Sequence, residues 1–298
     1  MRLLVVSQYF WPENFKINDL VEEMVRRGHR VTVLTGVPNY PEGRINLDFR
    51  QNPERFSRWA GAHIIRVPML VRGRGGLRLL LNYISFAVSA STLGLWRLRG
   101  QHFDSIFVFQ LSPITSALPA VLLRTTKRAP MAMWVLDLWP ETLCAVGVIR
   151  TKWGLAIVDR LVSFIYRHCD LILAQSNSFI PAIRRLTDIN QQVEFFPGWA
   201  ESIFLSEGID PAPEIRAVPN SFKVMFAGNI GYPQDFPSIL KAAEILRNQT
   251  QIQWLIIGDG RVAAWVAAEI ERRGLTGKMI MLGRHSFCLL YTSDAADE

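Results

Sequence analysis

An aspartate at the end of an apolar run carries the sharpest chemical signal in the sequence. Asp137 follows the run 132–136 and precedes Leu138, Trp139, Pro140 and Glu141. A carboxylate that leaves a buried strand beside an aromatic ring can accept a proton or bind a hydroxyl, and partial burial raises its pKa. The sequence therefore predicts Asp137 as a catalytic residue, with Trp139 and Glu141 contacting the substrate. The alternative is that Asp137 caps the helix that follows it.

The loop after the first predicted strand, residues 8–16, contains no glycine. A dinucleotide-binding dehydrogenase places G-x-G-x-x-G here so that the pyrophosphate can approach the helix N-terminus. We therefore do not expect an NAD or FAD site in this half of the chain. The side chains of Trp11, Glu13 and Asn14 suit a polyhydroxylated ligand, through ring stacking and hydrogen bonds. In the alternative interpretation, Asn14 caps the helix and the aromatic side chains only pack.

The loop after the second predicted strand, residues 35–43, has two prolines and three polar or aromatic candidates for ligand contact: Asn39, Tyr40 and Glu42. Ligands of open α/β sheets bind outside the carboxyl ends of the strands, where this loop lies. The sequence is equally compatible with a bare turn at this position.

Two glycine-containing turns in the second half each follow a strand and precede a helix. They contain Gly228, Asn229 and Gly231 in the first and Gly258, Asp259 and Gly260 in the second. Glycines at such turns let backbone N–H groups approach a phosphate, and the helix N-terminus favours the anion. Together the turns predict a nucleotide-diphosphate site, to which we assign Arg284 as well.

Short apolar runs alternate with helical patterns, which indicates βαβ units and parallel sheets. The first half has predicted strands at 3–7, 31–35, 64–70, 105–109, 132–136 and 171–174, with helices at 17–25, 155–166 and 178–186. The second half has strands at 222–227, 252–257 and 279–282, with helices at 236–246 and 262–273. Prolines and acidic residues interrupt this pattern near 196–219. The predicted fold is α/β with two Rossmann-like domains, 1–198 and 221–287, joined by residues 199–220.

Composition excludes several classes of protein. The 298 residues are 49% hydrophobic and 20% charged, with a net charge of +7, which excludes a disordered or collagen-like chain. Three cysteines without C-x-x-C spacing give neither a disulfide framework nor a zinc cluster, and the five histidines lack metal-ligand spacing. We therefore expect no metal, no nucleic-acid partner and a cytoplasmic location.

The stretch 77–99 is apolar and is flanked by arginines, among them Arg66, Arg72, Arg97 and Arg99. Three interpretations stay open: a buried core helix, a helix in the membrane interface anchored by Tyr83 and Trp96, and a membrane span for which its length is marginal. The arginines favour contact with anionic lipid, and we expect peripheral binding at the inner face of the cell membrane.

The last eleven residues, 288–298, lack any periodicity and look like the translation of a sequencing adapter. A short natural tail is the alternative. If the tail is the translation of an adapter, the second domain is incomplete, and we expect little or no enzymatic activity from this chain.

Five blocks of sequence give the chain a family resemblance. SQYFWPEN, TGVPNYPEG, VLDLWPE, FFPGWAE and FAGNIG are similar to blocks of the family 4 glycosyltransferases of the GT-B fold, and more narrowly of the L-fucosamine-type transferases of O-antigen and capsule assembly. The resemblance covers residues 1 to about 286.

This resemblance implies a nucleotide-sugar donor, a UDP-sugar, bound by the C-terminal domain and a lipid-linked saccharide acceptor bound by the N-terminal domain. It implies transfer with retention at the anomeric carbon, no cofactor and no bound metal. Asp137 matches the acceptor-side acid or base, and Gly228, Asn229 and Gly231 match the donor-phosphate loop.

Two departures from the family pattern stand out. Asn229 and Asp235 lie where many members have an Arg and a Lys, and the Glu-x7-Glu element of the family would lie beyond Gly283. Two other functions remain open from the residues alone: a nucleotide-sugar 2-epimerase of the same architecture, and a saccharide-binding protein without catalytic activity.

Overall fold

The computed structural model describes residues 1–40, 43–73, 76–145, 151–199 and 222–285. The chain forms two compact units, Met1–Gly198 and Trp199–Glu298. Most of the predicted connection, residues 200–220, and the whole tail 288–298 lie outside the described residues.

The first unit alternates strands and helices. Its strands are β1 (Arg2–Val6), β2 (Arg30–Gly36), β3 (Arg58–Trp59), β4 (Ala62–Val67), β5 (Ser105–Gln110), β6 (Met131–Val135), β7 (Leu171–Ala174) and β8 (Val193–Phe195). Its helices are α1 (Lys16–Arg26), α2 (Leu47–Gln51), α3 (Gly76–Ser89), α4 (Leu95–Arg97), α5 (Leu118–Lys127), α6 (Glu141–Ala145), α7 (Lys152–Arg167) and α8 (Phe179–Arg185). Gly28 follows α1 with a φ of +83°, the left-handed conformation that is typical of a glycine just after the end of a helix.

All eight strands form one sheet in the order β3-β4-β2-β1-β5-β6-β7-β8. Every neighbouring pair is parallel except β3 with β4. The chain order reverses at β1, which lies between β2 and β5, and this reversal is where open α/β sheets form a ligand crevice. The loops after β1, β2, β5 and β6 therefore meet at one edge of the sheet.

A hydrophobic core lies under this sheet, between the strands and the helices α3, α5, α7 and α8. Leu4, Ile106 and Met133 contribute from the strands, and Phe86 and Ile165 from the helices. A strand that is covered on both faces has apolar residues at successive positions. This explains why the apolar runs of the sequence predict where the strands lie.

The predicted strand 64–70 ends three residues early, at Val67. Pro68 has no N–H to donate to the ladder, so the strand cannot continue through it. The helix α5 was not predicted, although Pro119 occupies an initial position that favours a helix start.

The apolar stretch forms one continuous helical segment: α3, a π-helical turn at Ala90–Gly94, and α4. One side packs into the core through Phe86, Ala90 and the buried polar residue Asn82. The other side exposes Leu80, Leu81, Ile84, Val88, Leu93 and Trp96. The segment Arg78–Arg97 is long and apolar enough to cross a membrane by length and composition alone, a test that core helices also pass.

The second unit has a parallel sheet in the order β11-β10-β9, made of β9 (Phe222–Ala227), β10 (Ile252–Ile257) and β11 (Met279–Gly283). Its helices are α9 (Phe236–Ile245) and α10 (Ala263–Arg272). The strands β9 and β10 have the predicted bounds, and a separate core includes Phe236, Leu240, Ile256 and Val266.

Candidate functional site

Glu13 joins the loops that follow β1 and β2. Its Oε1 atom accepts hydrogen bonds from the backbone amides of Asn39 at 2.7 Å and Tyr40 at 2.6 Å, and its Oε2 atom accepts one from Phe10 at 3.3 Å. Burial of the carboxyl group raises the pKa of Glu13 to about 7, although these amides favour the charged form. Glu13 is therefore a buried positioning residue that fixes one loop against the other.

The two loops enclose a cavity of about 360 Å³ at the carboxyl edge of the first sheet. It is lined by four of the predicted acceptor-site residues, Glu13, Asn14, Asn39 and Tyr40. The side chain of Asn14 is exposed, and the residue that begins α1 as its N-cap is Phe15 rather than Asn14. The alternative that Asn14 serves as the cap is therefore wrong. Of the two other candidates in these loops, Trp11 does not line the cavity and Glu42 lies outside the described residues.

An aromatic cluster borders this cavity. The rings of Tyr9, Phe15 and Tyr40 lie with centroids 5.2–5.6 Å apart. The Arg72 guanidinium lies over the Tyr40 ring, 5.3 Å from its centroid, and the Arg72 side chain also hydrogen-bonds to Tyr9. Asn39 Oδ1 accepts a hydrogen bond of 2.9 Å from the backbone amide of Arg72, which places this arginine beside the second loop.

Asp137 lies two residues after β6, at the same carboxyl edge of the sheet. Its Oδ2 atom accepts a hydrogen bond of 2.9 Å from the backbone amide of Ser112, in the loop after β5. Asp137 is half-buried, and its charge acts on the half-buried Tyr83 of α3. Burial raises the pKa of the Tyr83 hydroxyl, Arg72 lowers it, and the Asp137 carboxylate raises it. The Asp137 carboxylate and the Arg72 guanidinium therefore both act on the Tyr83 hydroxyl through their charge, while the cavity of the first two loops is lined by other residues.

Three predicted acceptor contacts have partners within the protein. The Trp139 ring is buried, and its Nε1 donates to Ser112 Oγ at 3.0 Å. The Trp11 ring stacks near Phe56, at 4.9 Å between centroids. Glu141 forms a 2.9 Å ion pair with Arg185. Trp139 positions the Ser112 loop that holds Asp137, and contacts of these three side chains with an acceptor stay predictions.

The glycine turns of the second unit pack directly against each other. A Cβ atom on Gly258 would lie 1.8 Å from the carbonyl oxygen of Gly228, and one on Gly260 would lie 2.3 Å from that of Ile230. The Ile230 amide donates to the Asp259 carbonyl at 2.9 Å, and the Gly228 amide donates to the Ile257 carbonyl at 2.9 Å. Close backbone approach therefore explains these glycines.

This packing corrects the predicted reason for the glycines. Each of their four amides donates within the protein: Gly228 to Ile257 O, Gly231 to Gln234 Oε1, Gly258 to Gly283 O and Gly260 to Asp259 Oδ1. The polar side chains at this edge of the sheet, Asn229, Asp259 and Arg284, are exposed and remain the candidates for contact with a donor.

Sequence analysis missed Tyr9, Arg72 and Tyr83 as members of the site. It assigned Arg72 to a set of membrane-flanking cations and Tyr83 to an interfacial anchor. Tyr83 is half-buried and its hydroxyl is affected by the charge of Asp137, and Arg72 lies over Tyr40, while the membrane roles of both residues stay predictions. Arg66, another member of that set, is buried. The buried Asn82 accepts from Gln8 at 3.0 Å and ties α3 to the first loop, a contact between residues 74 positions apart that the sequence pattern does not reveal.

Among the described residues there is no group of three or more His, Cys, Asp or Glu side chains that could hold a metal ion.

Comparison with known proteins places this arrangement in a family. Residues 15–199 match the model of the glycosyl transferase 4-like domain. The chain is 26% identical over 290 residues to WcaI of Escherichia coli (strain K12), which is named as a colanic acid biosynthesis glycosyl transferase; the match covers 92% of this chain and 70% of WcaI. It is 29% identical over 153 residues to WbjE of Pseudomonas aeruginosa, named as a glycosyltransferase, covering 48% of this chain and 38% of WbjE.

Solved structures show the same fold. Sucrose-phosphate synthase from Thermosynechococcus elongatus aligns with a TM-score of 0.66 at 13% identity, over 99% of this chain and 73% of that one. HepE of Anabaena, solved with UDP and glucose, aligns with a TM-score of 0.58 at 15% identity, over 96% of this chain and 70% of that one. These neighbours confirm the predicted α/β GT-B class. The chain belongs to the glycosyl transferase 4-like family.

Proposed function

We propose that this protein is a glycosyltransferase that moves a sugar from a nucleotide-diphosphate donor to a lipid-linked saccharide during assembly of a cell-surface polysaccharide. The observation that carries this proposal is the cavity at the switch point of the first sheet, which Glu13, Asn14, Asn39 and Tyr40 line, with Asp137 following β6 at the same edge of that sheet. The name of WcaI supports a role in polysaccharide synthesis.

In the proposed reaction, a hydroxyl of the acceptor sugar lies against the Asp137 carboxylate. The acceptor oxygen bonds to the anomeric carbon of the donor on the same face from which the diphosphate departs, as the bond from that carbon to the diphosphate oxygen breaks and the electron pair leaves with the diphosphate. Asp137 takes the hydroxyl proton. Tyr40 and Arg72 form an aromatic and cationic wall that suits stacking and hydrogen bonding to a saccharide, and the buried Tyr9 ring packs against Tyr40 and supports it. Retention at the anomeric carbon, and transfer without a metal or cofactor, complete the proposal.

The donor is a UDP-sugar carrying an N-acetyl-fucosamine-like group. Binding of UDP by HepE supports the nucleotide, and the resemblance of the sequence blocks supports the sugar. In the second unit, Asn229, Asp259 and Arg284 lie at the carboxyl edge of the parallel sheet, where α/β proteins bind nucleotides. Arg284 supplies a positive charge for the diphosphate.

The enzyme binds the inner face of the membrane as a peripheral protein. The helical segment 76–97 leaves Leu80 52% exposed, Val88 58% and Trp96 59%, a contiguous apolar side that water solvates poorly. Arg99 lies over the Trp96 ring, 4.2 Å from its centroid, and places a cation at the end of this side. A nucleotide-sugar epimerase acts on soluble substrates and has no need of such a surface.

The proposal is tested by supplying tritiated UDP-sugars to membranes from cells that express the native gene, with the 298-residue chain assayed in parallel. We expect label in the lipid extract that mild acid releases as an oligosaccharide, and binding of both proteins to the membranes. Conversion of the donor to its 2-epimer without any labelled lipid would contradict the transferase and support the epimerase. Binding of saccharide without formation of either product would support a saccharide-binding protein that has no catalytic activity.

A further inference from the structure

A second cavity, of about 480 Å³, lies beside the first, on the far side of the β2–α2 loop. We call it the arginine cavity. Most of its lining is apolar, and the charged residues in it are Arg66, Arg97 and Glu54; the lining comprises Val37, Phe49, Pro53, Glu54, Phe56, Ser57, Ile64, Arg66, Pro68 and Arg97. Its volume falls in the range of about 300–1,000 Å³ that is typical of small-molecule sites.

Arg66 is an unusual residue in the lining of such a cavity, because this charged side chain belongs to a residue that is only 9% exposed. Its Nη1 donates to the carbonyl of Gly36 at 3.1 Å and its Nη2 to that of Trp11, while its Nε has no hydrogen-bond partner among the described residues. The Phe49 ring lies under the guanidinium, 5.4 Å from its carbon to the ring centroid.

The charge of Arg66 is poorly compensated. Burial lowers the pKa of Arg66 to about 10, and the opposing effect comes from Glu13. Glu13 is itself a weak counter-ion, since its own pKa is raised to about 7. A buried cation of this kind is stabilised by an anion that can reach it.

Arg97 brings a second cation to the arginine cavity and connects it to the exposed helix. Its Nη1 donates to the carbonyl of Arg66, and its neighbour Trp96 belongs to the exposed apolar side of the segment 76–97. A molecule in the arginine cavity therefore meets two guanidinium groups and several apolar side chains, next to the surface proposed to face the membrane.

We propose that the arginine cavity binds the phosphate and the first apolar units of a lipid phosphate. Guanidinium groups recognise phosphate oxygens by charge-assisted hydrogen bonds, and Phe49, Phe56 and Ile64 give the chain an apolar wall. The isoprenoid phosphate that carries the acceptor and the phospholipids of the bilayer share this chemistry. The identification with the carrier lipid rests on the proposed function, whereas the site itself does not.

The test is direct binding to the purified 298-residue chain, followed by calorimetry. The probes are farnesyl monophosphate, farnesol, inorganic phosphate and dihexanoyl phosphatidylglycerol. We expect farnesyl monophosphate to bind at least about tenfold more tightly than farnesol or inorganic phosphate, because each of these two probes offers only one of the two groups. Equal or tighter binding of the phosphatidylglycerol would support the site and assign it to bilayer lipid.

Two variants keep the test specific. Arg97→Gln removes one cation, and Ser57→Asp adds a negative charge to the exposed rim of the arginine cavity. Each substitution should weaken the binding of farnesyl monophosphate at least about tenfold. Arg99→Gln, at the same helix end but not in the lining, is the matched control and should bind normally. Thermal unfolding verifies that the variants fold.

Equal affinities for farnesol and its phosphate, or unchanged affinity in both lining variants, would overturn the proposal. Because these measurements involve no donor sugar, they can fail while transferase activity is intact, and they can succeed in a protein that transfers nothing.

Discussion

The carboxylate of Glu13 accepts a 2.6 Å hydrogen bond from the backbone amide of Tyr40, across 27 positions of sequence. This contact, with its companion to Asn39, shapes the cavity between the first two loops and presents Tyr40 to Arg72. The geometry of the proposed acceptor site therefore depends on a buried acid whose charge state is sensitive to pH.

The first prediction concerns the pH dependence of stability. The pKa of Glu13 is about 7 in the folded protein and 4.5 in the reference state, so folding favours the protonated form. Its stabilising contribution is complete below pH 4.5 and is lost as pH rises through 7. The shift corresponds to about 3 kcal/mol. Urea unfolding at pH 4.5 and pH 8 should show this loss in the wild type and not in Glu13→Gln, which stays neutral. Parallel pH profiles for the two proteins would contradict the assignment.

The second prediction separates close packing from backbone conformation in the second unit. Gly258 and Gly274 both have positive φ, +138° and +64°, but a Cβ on Gly258 would meet the Gly228 carbonyl whereas one on Gly274 meets nothing within 4 Å. We expect Gly274→Ala to lower the free energy of unfolding by about 1 kcal/mol. Gly258→Ala should cost about 3 kcal/mol or more. If urea unfolding showed similar losses of the free energy of unfolding in the two variants, the turns would not pack as described.

The sequence pattern located the elements well, for a physical reason. Strands of a parallel sheet are rich in apolar residues, so β7, β9 and β10 could be bounded to the residue, although Lys223 and Gln253 interrupt the apolar runs of β9 and β10. The strand β3 is only two residues long and pairs antiparallel with β4, and no periodicity can reveal so short an element.

The candidate site was predictable only where its residues lie in loops at strand ends. Glu13, Asn39 and Asp137 follow β1, β2 and β6, and parallel strands bring such loops together. Tyr83 and Arg72 come to the site from α3 and from the segment before it, through the packing of Asn82 on the first loop. That packing is a tertiary contact that leaves no local signature.

The third prediction concerns Arg72. The planar guanidinium over Tyr40 also hydrogen-bonds to Tyr9, so Arg72→Lys keeps the charge but loses the stacked geometry. We expect this substitution to raise the KM for the acceptor about tenfold and to leave the KM for the donor unchanged. Arg78→Lys, on the exposed side of α3, is the control. An unchanged acceptor KM in Arg72→Lys would remove Arg72 from the site.

The fourth prediction concerns the membrane. Leu80 and Val88 are exposed, so replacing both with Gln should leave the free energy of unfolding within about 1 kcal/mol of the wild type. Binding to phosphatidylglycerol vesicles should fall at least about tenfold, because the two side chains lose their burial in the interface. Ile245→Gln, on an exposed residue of the second unit, is the control and should bind normally. Equal sedimentation of all three proteins with vesicles would place the contact elsewhere.

The catalytic role of Asp137 is tested most directly by comparing sugar transfer by the native gene product and its Asp137→Asn variant. Asn keeps the side-chain oxygen that accepts from Ser112 but cannot take a proton. We predict that kcat falls about 100-fold or more while acceptor binding changes little, and that Asp188→Asn, in a surface ion pair, retains full activity. A normal kcat in Asp137→Asn would contradict the account.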